Sequence, residues 1–313
     1  MAGVVRKPGR GGHIVNCSPK VSVVLANWNT ARFLDEAIES VVKQSFEDWV
    51  MIAVDTGSTD ESPAILERWA AADERIKPVL MPQWLNYPTA VNLGLGKVLG
   101  EYVARIESDD LWQPEKLESQ IAFLEHPEHQ AVGICGTNAY LIDEHGRVLG
   151  TKRYPQTHEA CLKAIWYRSP LCHSSILVRR AAFELCGRYD DAFLPSEDLD
   201  LWFRMARMWQ ICNLPQPLIS YRVWSSTVTS RRLRAALWSS HRIRSRAVRD
   251  LGYRRPLLAA LYSTATLGCV LLPPQLVRWL FQVLLDRFSR GAAAAQPGCG
   301  GTSDYREVDK TQG

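Results

Sequence analysis

The sequence predicts an α/β fold: a mostly parallel sheet flanked by helices, followed by a helical C-terminal appendage. Three observations carry this. Between Val21 and Ile106, four short runs of β-branched and apolar residues alternate with stretches of helical periodicity. The connections are short, which suits right-handed crossovers covered by helices on both faces of a sheet. The first, second and fourth runs end in polar or acidic residues, which places those groups together at the carboxyl edge where open α/β sheets bind ligands.

The elements follow in order. Residues 1 to about 18 read as a flexible basic arm. VSVVL from Val21 is a buried strand, and from Thr30 the residues Phe33, Leu34, Ala37, Ile38, Val41 and Val42 recur at helical spacing, with Thr30 placed to cap the first turn. Val50 to Val54 is the second strand and ends at Asp55. After the polar turn Thr56-Gly57-Ser58-Thr59-Asp60, Ser62 and Pro63 supply an N-cap and first position for a helix to Ala71. Ile76 to Leu80 is the third strand, Pro88 to Leu99 the third helical segment, and Tyr102 to Ile106 the fourth strand. Beyond Glu125 the pattern is less regular. Strands are expected at Ala131 to Cys135, Ala139 to Ile142, Ser174 to Val178 and Leu218 to Val223, with a tight turn over Asp143 to Gly146 and a helix capped by Ser196.

Composition narrows the function. The chain has 313 residues, 46% of them hydrophobic and 22% charged, enough for one sizeable core with an appendage. Its eight cysteines include no CxxC pair, as expected of reduced, buried thiols in the cytoplasm. No apolar run follows Met1 to form the core of a signal peptide. The glycines Gly94, Gly96 and Gly100 precede a strand instead of opening a helix after one, so they do not make a dinucleotide fingerprint.

The segment GEYVARIESDDLW, residues 100–112, organises the chain: a buried strand delivers Glu107, Asp109 and Asp110 within four residues. Clustered carboxylates repel, and either a hard divalent cation or a helix N-terminus relieves them. Both readings stay open on the residues alone, since Asp109 or Asp110 can cap a helix starting near Pro114. Glu197 and Asp198, likewise, read as first-turn acids favoured by the helix dipole.

From about Val21 to Ser226 the chain resembles the family 2 glycosyltransferases. The resemblance rests on VSVVLANWNTARFLDEAIESVVKQSF, VDTGSTDESPAILERWA, GEYVARIESDDLWQPEKLESQ, HSSILVRRAAFELCGRYDDAFLPSEDLDLWFRMA and YRV, in family order and spacing. It implies a Rossmann-like GT-A domain over 19–228, with a nucleotide-sugar-binding half (19–125) and an acceptor half (126–228). It also implies inverting transfer from a nucleotide diphosphate sugar, most simply a UDP-sugar, to a glycan or lipid-linked acceptor. By this resemblance Asp55 meets the nucleotide base, with Asn29, Ala90 and Asn92 around the same pocket. Glu107, Ser108 and Asp109 match the Asp-x-Asp motif, whose last acid holds Mn2+ or Mg2+, and Asp110 follows it. Asp198 matches the general base. Glu197, His173 and Arg222 are candidate contacts to acceptor or phosphate; for His173 a satisfied buried imidazole, and for Arg222 a surface ion pair, are the alternatives. The chain departs from the pattern at Thr56, at Glu107, and at Trp84 to Tyr87, whose rings either reshape the donor pocket or pack as core aromatics.

Past Thr229 the reading is physical only. Arg231 to Arg255 holds nine arginines against one acid, Asp250, and is followed by the uncharged run Leu257 to Leu272 and by Pro273-Pro274. Gln275 to Phe288 has one narrow polar stripe. This region, 229–290, suits attachment to an anionic membrane surface on the cytoplasmic side better than a spanning helix. Nucleic acid is not an expected partner, because the arginines lack interleaved aromatics on a recognisable module. Residues 291–313 are expected to be disordered.

Overall fold

The computed structural model describes residues 18–224 and 233–268. The arm before residue 18, the helix expected over Gln275 to Phe288 and the tail 291–313 lie outside the described residues. One compact unit runs to Thr264, and the last turn of the final described helix belongs to a second unit beginning at Ala265.

The first half alternates as expected: β1 (Val21–Asn27), α1 (Ala31–Val42), β2 (Trp49–Thr56), α2 (Ser62–Ala72), β3 (Ile76–Met81), α3 (Tyr87–Leu95) and β4 (Tyr102–Glu107). Then come β5 (Leu111–Trp112), α4 (Lys116–Glu125), β6 (Val132–Ile142), β7 (Val148–Lys152), α5 (His158–Ala164), β8 (Leu177–Arg179), α6 (Arg180–Cys186), α7 (Glu197–Met208), β9 (Gln210–Arg222), α8 (Leu233–Arg249) and α9 (Leu257–Gly268). The described strands form one nine-stranded mixed sheet in the order β3-β2-β1-β4-β8-β6-β9-β5, with β7 paired to β6. Strands β3, β2, β1 and β4 are parallel; β8 runs antiparallel to β4, and β6 and β9 are parallel to each other.

Every residue of β1 is buried, as a central strand covered on both faces requires. One face packs on α1 through Leu34, Ala37, Ile38 and Val41; the other packs on α3 and α7. Gly94 belongs to this second layer: a Cβ there would lie 2.6 Å from the Val24 side chain, so glycine lets α3 approach the sheet.

Several local expectations are corrected. Thr30 does not cap α1: its hydroxyl donates to Asn27 Oδ1 and lies 2.8 Å from Ser108 Oγ. Asp60 serves instead, accepting from Ala31 N at 2.9 Å and from Ser62 N at 3.0 Å, so one carboxylate ties the starts of α1 and α2. Ser62 is therefore the first residue of α2 and not its cap. Residues 173–175 form a 3-10 turn and not a strand, because Ser175 Oγ donates to Cys172 O at 2.8 Å. Strand β6 is continuous where two pieces were expected, and β9 starts eight residues before Leu218. Pro215 and Pro217 sit at its bulge opposite Asn138, whose amide donates to Pro215 O at 2.7 Å.

Candidate functional site

The parallel strands deliver their carboxyl ends to one rim. At the end of β1, Asn27 Nδ2 donates to Asp55 Oδ2 at 2.6 Å, linking it to the end of β2. Asp55 also accepts from Ser58 N at 3.0 Å and Ser58 Oγ at 2.6 Å, so its carboxylate is buried and fixed. Asn29 has φ +52°, a left-handed conformation that asparagine tolerates, and its side chain accepts from Thr59 N at 2.8 Å. Exposed Trp28 and Trp84 stand edge to face beside this turn, with centroids 6.4 Å apart. Thr56, a departure from the pattern the chain resembles, is buried with its hydroxyl on Asn27 O.

At the end of β4, Glu107 is held in a buried network. Its Oε1 accepts from Tyr87 OH, lies 3.0 Å from His173 Nδ1 and 3.3 Å from Arg105 Nη2. Arg105 donates to Tyr87 OH at 2.6 Å, and His173 Nε2 lies 2.6 Å from Tyr189 OH. Burial alone pushes the Glu107 carboxyl up, but Arg105, His173 and Tyr87 more than reverse this and hold it at about 2. Sequence reading did not find this network. Its only signals were an Arg two residues before Glu107 and tyrosines that looked like core.

The next two acids behave oppositely. Asp109 Oδ2 accepts from Trp224 Nε1 at 2.9 Å, and Asp110 Oδ1 accepts from Arg222 N at 2.8 Å. Burial pushes both carboxyls up, and for Asp110 the Asp109 charge adds to it. Neither caps α4, whose N-cap position is Glu115. Arg222 is itself buried, and its ion pair reaches Glu36 at the surface. Its Nε donates to Asp109 O at 2.8 Å, its Nη1 reaches Asp143 O and Glu144 O, and its Nη2 meets Glu36 at 2.8 Å. It clamps the acidic turn.

The donor set suits a hard divalent cation. Asp110 Oδ2 is buried without a hydrogen-bond partner, beside a second carboxylate whose charge costs free energy where it stands. Among the described residues no group of three or more Asp, Glu, His or Cys side chains surrounds one point.

Helix α7 brings Glu197 and Asp198. Asp198 Oδ2 accepts from Ser169 Oγ at 3.3 Å, and Trp202 one turn later packs against His173, with rings 6.0 Å apart. Glu197 is buried with Oε2 unpartnered; burial first, then the Asp198 charge, raise it to about 8. Ser196 stands at the N-cap position, but its hydroxyl turns to Ala236 O and Ser240 of α8. Asn92 is committed to the Tyr189 backbone, donating to its O at 2.8 Å and accepting from its N at 3.1 Å. Ala90 is buried on α3, and Ser108 is buried under Thr30.

The mixed sheet, with acids along the carboxyl rim of its parallel half, is of the GT-A type. The family model described as glycosyl transferase family 2 matches residues 22–185, more than half of the chain. EpsE of Bacillus subtilis (strain 168), which bears the name of a glycosyltransferase, is 35% identical over 193 residues, 61% of this chain and 68% of EpsE. The amylovoran biosynthesis glycosyltransferase AmsE of Erwinia amylovora is 29% identical over 276 residues, 84% of this chain and 97% of AmsE. Among solved structures, the mannosyltransferase PcManGT from Pyrobaculum calidifontis, in complex with GDP-Man and Mn2+, superposes with a TM-score of 0.58 at 17% identity, covering 90% of this chain and 76% of that one. TarS of S. aureus in complex with UDP-GlcNAc gives 0.57 at 17% identity, covering 80% of each. The chain belongs to glycosyl transferase family 2.

Proposed function

We propose that the chain is an inverting glycosyltransferase that moves a sugar from a nucleotide diphosphate donor, a UDP-sugar first among candidates, to a hydroxyl of a glycan or lipid-linked acceptor. The observation that carries this reading is the grouping of acids: fixed Asp55 and raised Asp109 and Asp110 on the strand rim, with Asp198 on α7 close enough to act on Tyr189, whose hydroxyl meets His173.

In this reading Asp55, with Asn29, holds the base of the donor, and residues 19–125 form the donor half while 126–228 face the acceptor. Asp109 would hold Mn2+ or Mg2+, with Asp110 beside it; a bound cation supplies charge neutralisation to a departing diphosphate. Asp198 takes the proton from the acceptor hydroxyl as it attacks the anomeric carbon from the face opposite the diphosphate, and a single displacement inverts that centre. Glu107, locked to Arg105 and Tyr87, positions the strand end. Relatives named for amylovoran and teichuronic acid biosynthesis support a role in assembling a surface polysaccharide or glycolipid. We place the protein peripherally on the inner face of the cell membrane.

The experiment is nucleotide release from a panel of nucleotide sugars with Mn2+ or Mg2+, beside Asp109→Ala and Asp198→Asn. Slow release from one donor, stopped by chelator and by Asp109→Ala, is expected. Transfer to a hydroxyl acceptor should fall about a hundredfold or more in Asp198→Asn while donor binding persists. No binding or release with any donor overturns the proposal.

A further inference from the structure

Helix α9 packs with its faces reversed. It buries Ala259 and Ser263 completely, and Ser263 Oγ lies 3.0 Å from His241 Nδ1 of α8. Outward it carries Leu257, Leu258 and Leu261, which are 76%, 70% and 59% exposed. A helix on a protein surface ordinarily does the opposite, turning its leucines to the core. The small residues explain how α9 approaches the body so closely. They do not explain the exposed leucines, which form a ridge suited to an apolar partner.

Positive charge without a counter-charge lies beside this ridge. Arg244 on α8 is only 4% exposed, its Nε has no hydrogen-bond partner, and its guanidinium sits 5.7 Å from the Tyr262 ring of α9. Arg255, two residues before Leu257, has buried Nε and Nη2 atoms that also lack partners. A guanidinium edge with unmade hydrogen bonds costs free energy, and among the described residues no carboxylate pairs with either arginine. Burial and the neighbouring Arg255 charge lower Arg244 to about 10, and burial with the same two arginines lowers His241. An oxyanion with several acceptor oxygens, such as a phosphate, satisfies such a cluster. Exposed Trp238 stacks on His241 with centroids 6.1 Å apart, an aromatic with a polar edge of the kind that settles at a membrane–water boundary.

We propose that the α8–α9 face docks on anionic phospholipid, with Leu257, Leu258 and Leu261 entering the acyl boundary while Arg255, partly exposed at the start of α9, receives a headgroup phosphate. This deepens, and rests on, the peripheral placement given above. The charge selects lipid over a second copy of the chain, since self-association would press two cationic faces together. No described helix is long and apolar enough to cross a membrane, and in this proposal α9 lies in the interface plane.

The test is flotation of the full chain with vesicles of phosphatidylcholine, alone or mixed with phosphatidylglycerol, with sedimentation analysis in parallel. The unmodified chain should float only with the mixed vesicles. Leu257→Ser combined with Leu261→Ser should lower partitioning about tenfold or more, and Arg255→Gln about fivefold. The two serines, both at exposed positions, should leave nucleotide binding unchanged. Vesicle binding that ignores the leucines and is displaced by inorganic phosphate overturns the proposal in favour of a free-anion site. Loss of a dimer in the leucine variant, without flotation of the parent, overturns it in favour of self-association. Equal flotation of parent and variants removes this face but leaves the peripheral placement standing; no flotation of the parent removes both.

Discussion

Glu107 Oε1 lies 3.0 Å from His173 Nδ1, and the same oxygen accepts from Tyr87, so three elements distant in sequence meet on one carboxylate oxygen. Arg105 is fully buried and depends on this anion. Replacing it with a neutral amide leaves a buried guanidinium uncompensated, which is costlier than losing an exposed pair. Glu107→Gln is therefore expected to lower unfolding free energy by about 2–4 kcal/mol in urea melts at pH 7. The acid side carries a second signature. The carboxyl is held at about 2 against an ordinary 4.5, so its stabilisation is present above pH 4.5 and is lost as pH falls through about 2. The unmodified protein should lose up to about 3 kcal/mol across that window, and Glu107→Gln should not. Parallel acid titrations of the two would contradict the network.

Glu197 titrates with the opposite sign. Its folded value is raised from 4.5 to about 8, so its favourable share is present below pH 4.5 and disappears as pH rises through about 8, when a buried carboxylate must ionise beside Asp198. Glu197→Gln should match the parent near pH 4.5 and exceed its stability by up to about 5 kcal/mol at pH 9. Urea midpoints at the two pH values decide it; a variant weaker at pH 9 would mean that the ionised form has a partner.

The parallel half of the sheet was legible because β1, β2 and β4 are buried on both faces and so read as unbroken apolar runs ending in polar residues. Asp55 and the acids after β4 were legible for the same reason. The antiparallel half was less so. Strand β9 carries two prolines, which read as breakers until the bulge at Asn138 shows where they are tolerated. The network around Glu107 was invisible, since periodicity does not distinguish a tyrosine that packs, such as Tyr102, from one that donates to a carboxylate, such as Tyr87. Arg222 was half-read: it stood as a candidate phosphate contact or a surface ion pair, and its hold on the acidic turn depends on carbonyls of the turn after β6, which only the fold brings near.

Gly57 tests the coupling between the Asp55 turn and the Trp84 loop. It has φ +65°, and a Cβ there would lie 2.7 Å from the Gln83 carbonyl carbon and 2.9 Å from Trp84 N, both backbone atoms that cannot rotate away. Gly57→Ala should cost about 2–3 kcal/mol in stability, from left-handed strain plus the displaced loop. By moving Trp84 away from Trp28 it should also weaken nucleotide affinity about tenfold, with a smaller change in kcat. Calorimetric titration with UDP alongside urea melts separates the two effects. Unchanged affinity with reduced stability would make the loop structural only.

The acidic turn after β4 makes the last prediction, on cation linkage. Asp109 and Asp110 are raised by burial, and Arg222 meets them only through the Asp109 carbonyl and its own backbone N–H, so its guanidinium does not neutralise either carboxylate by direct contact. A divalent cation that binds here binds the folded chain alone, and a ligand at a hundred times its Kd adds about 2.7 kcal/mol to stability. For a body of this size that is about 5 °C in Tm. Mn2+ should thus raise the Tm of the unmodified protein, and UDP should enlarge the shift by supplying phosphate oxygens as further ligands. Asp109→Ala should abolish the Mn2+ shift. The same substitution removes one of two repelling carboxylates, so the metal-free Tm should stay level or rise. That pair of outcomes separates loss of a ligand from loss of structure: a fall in metal-free Tm with the Mn2+ shift intact would mean that Asp109 is held for Trp224 and not for a cation.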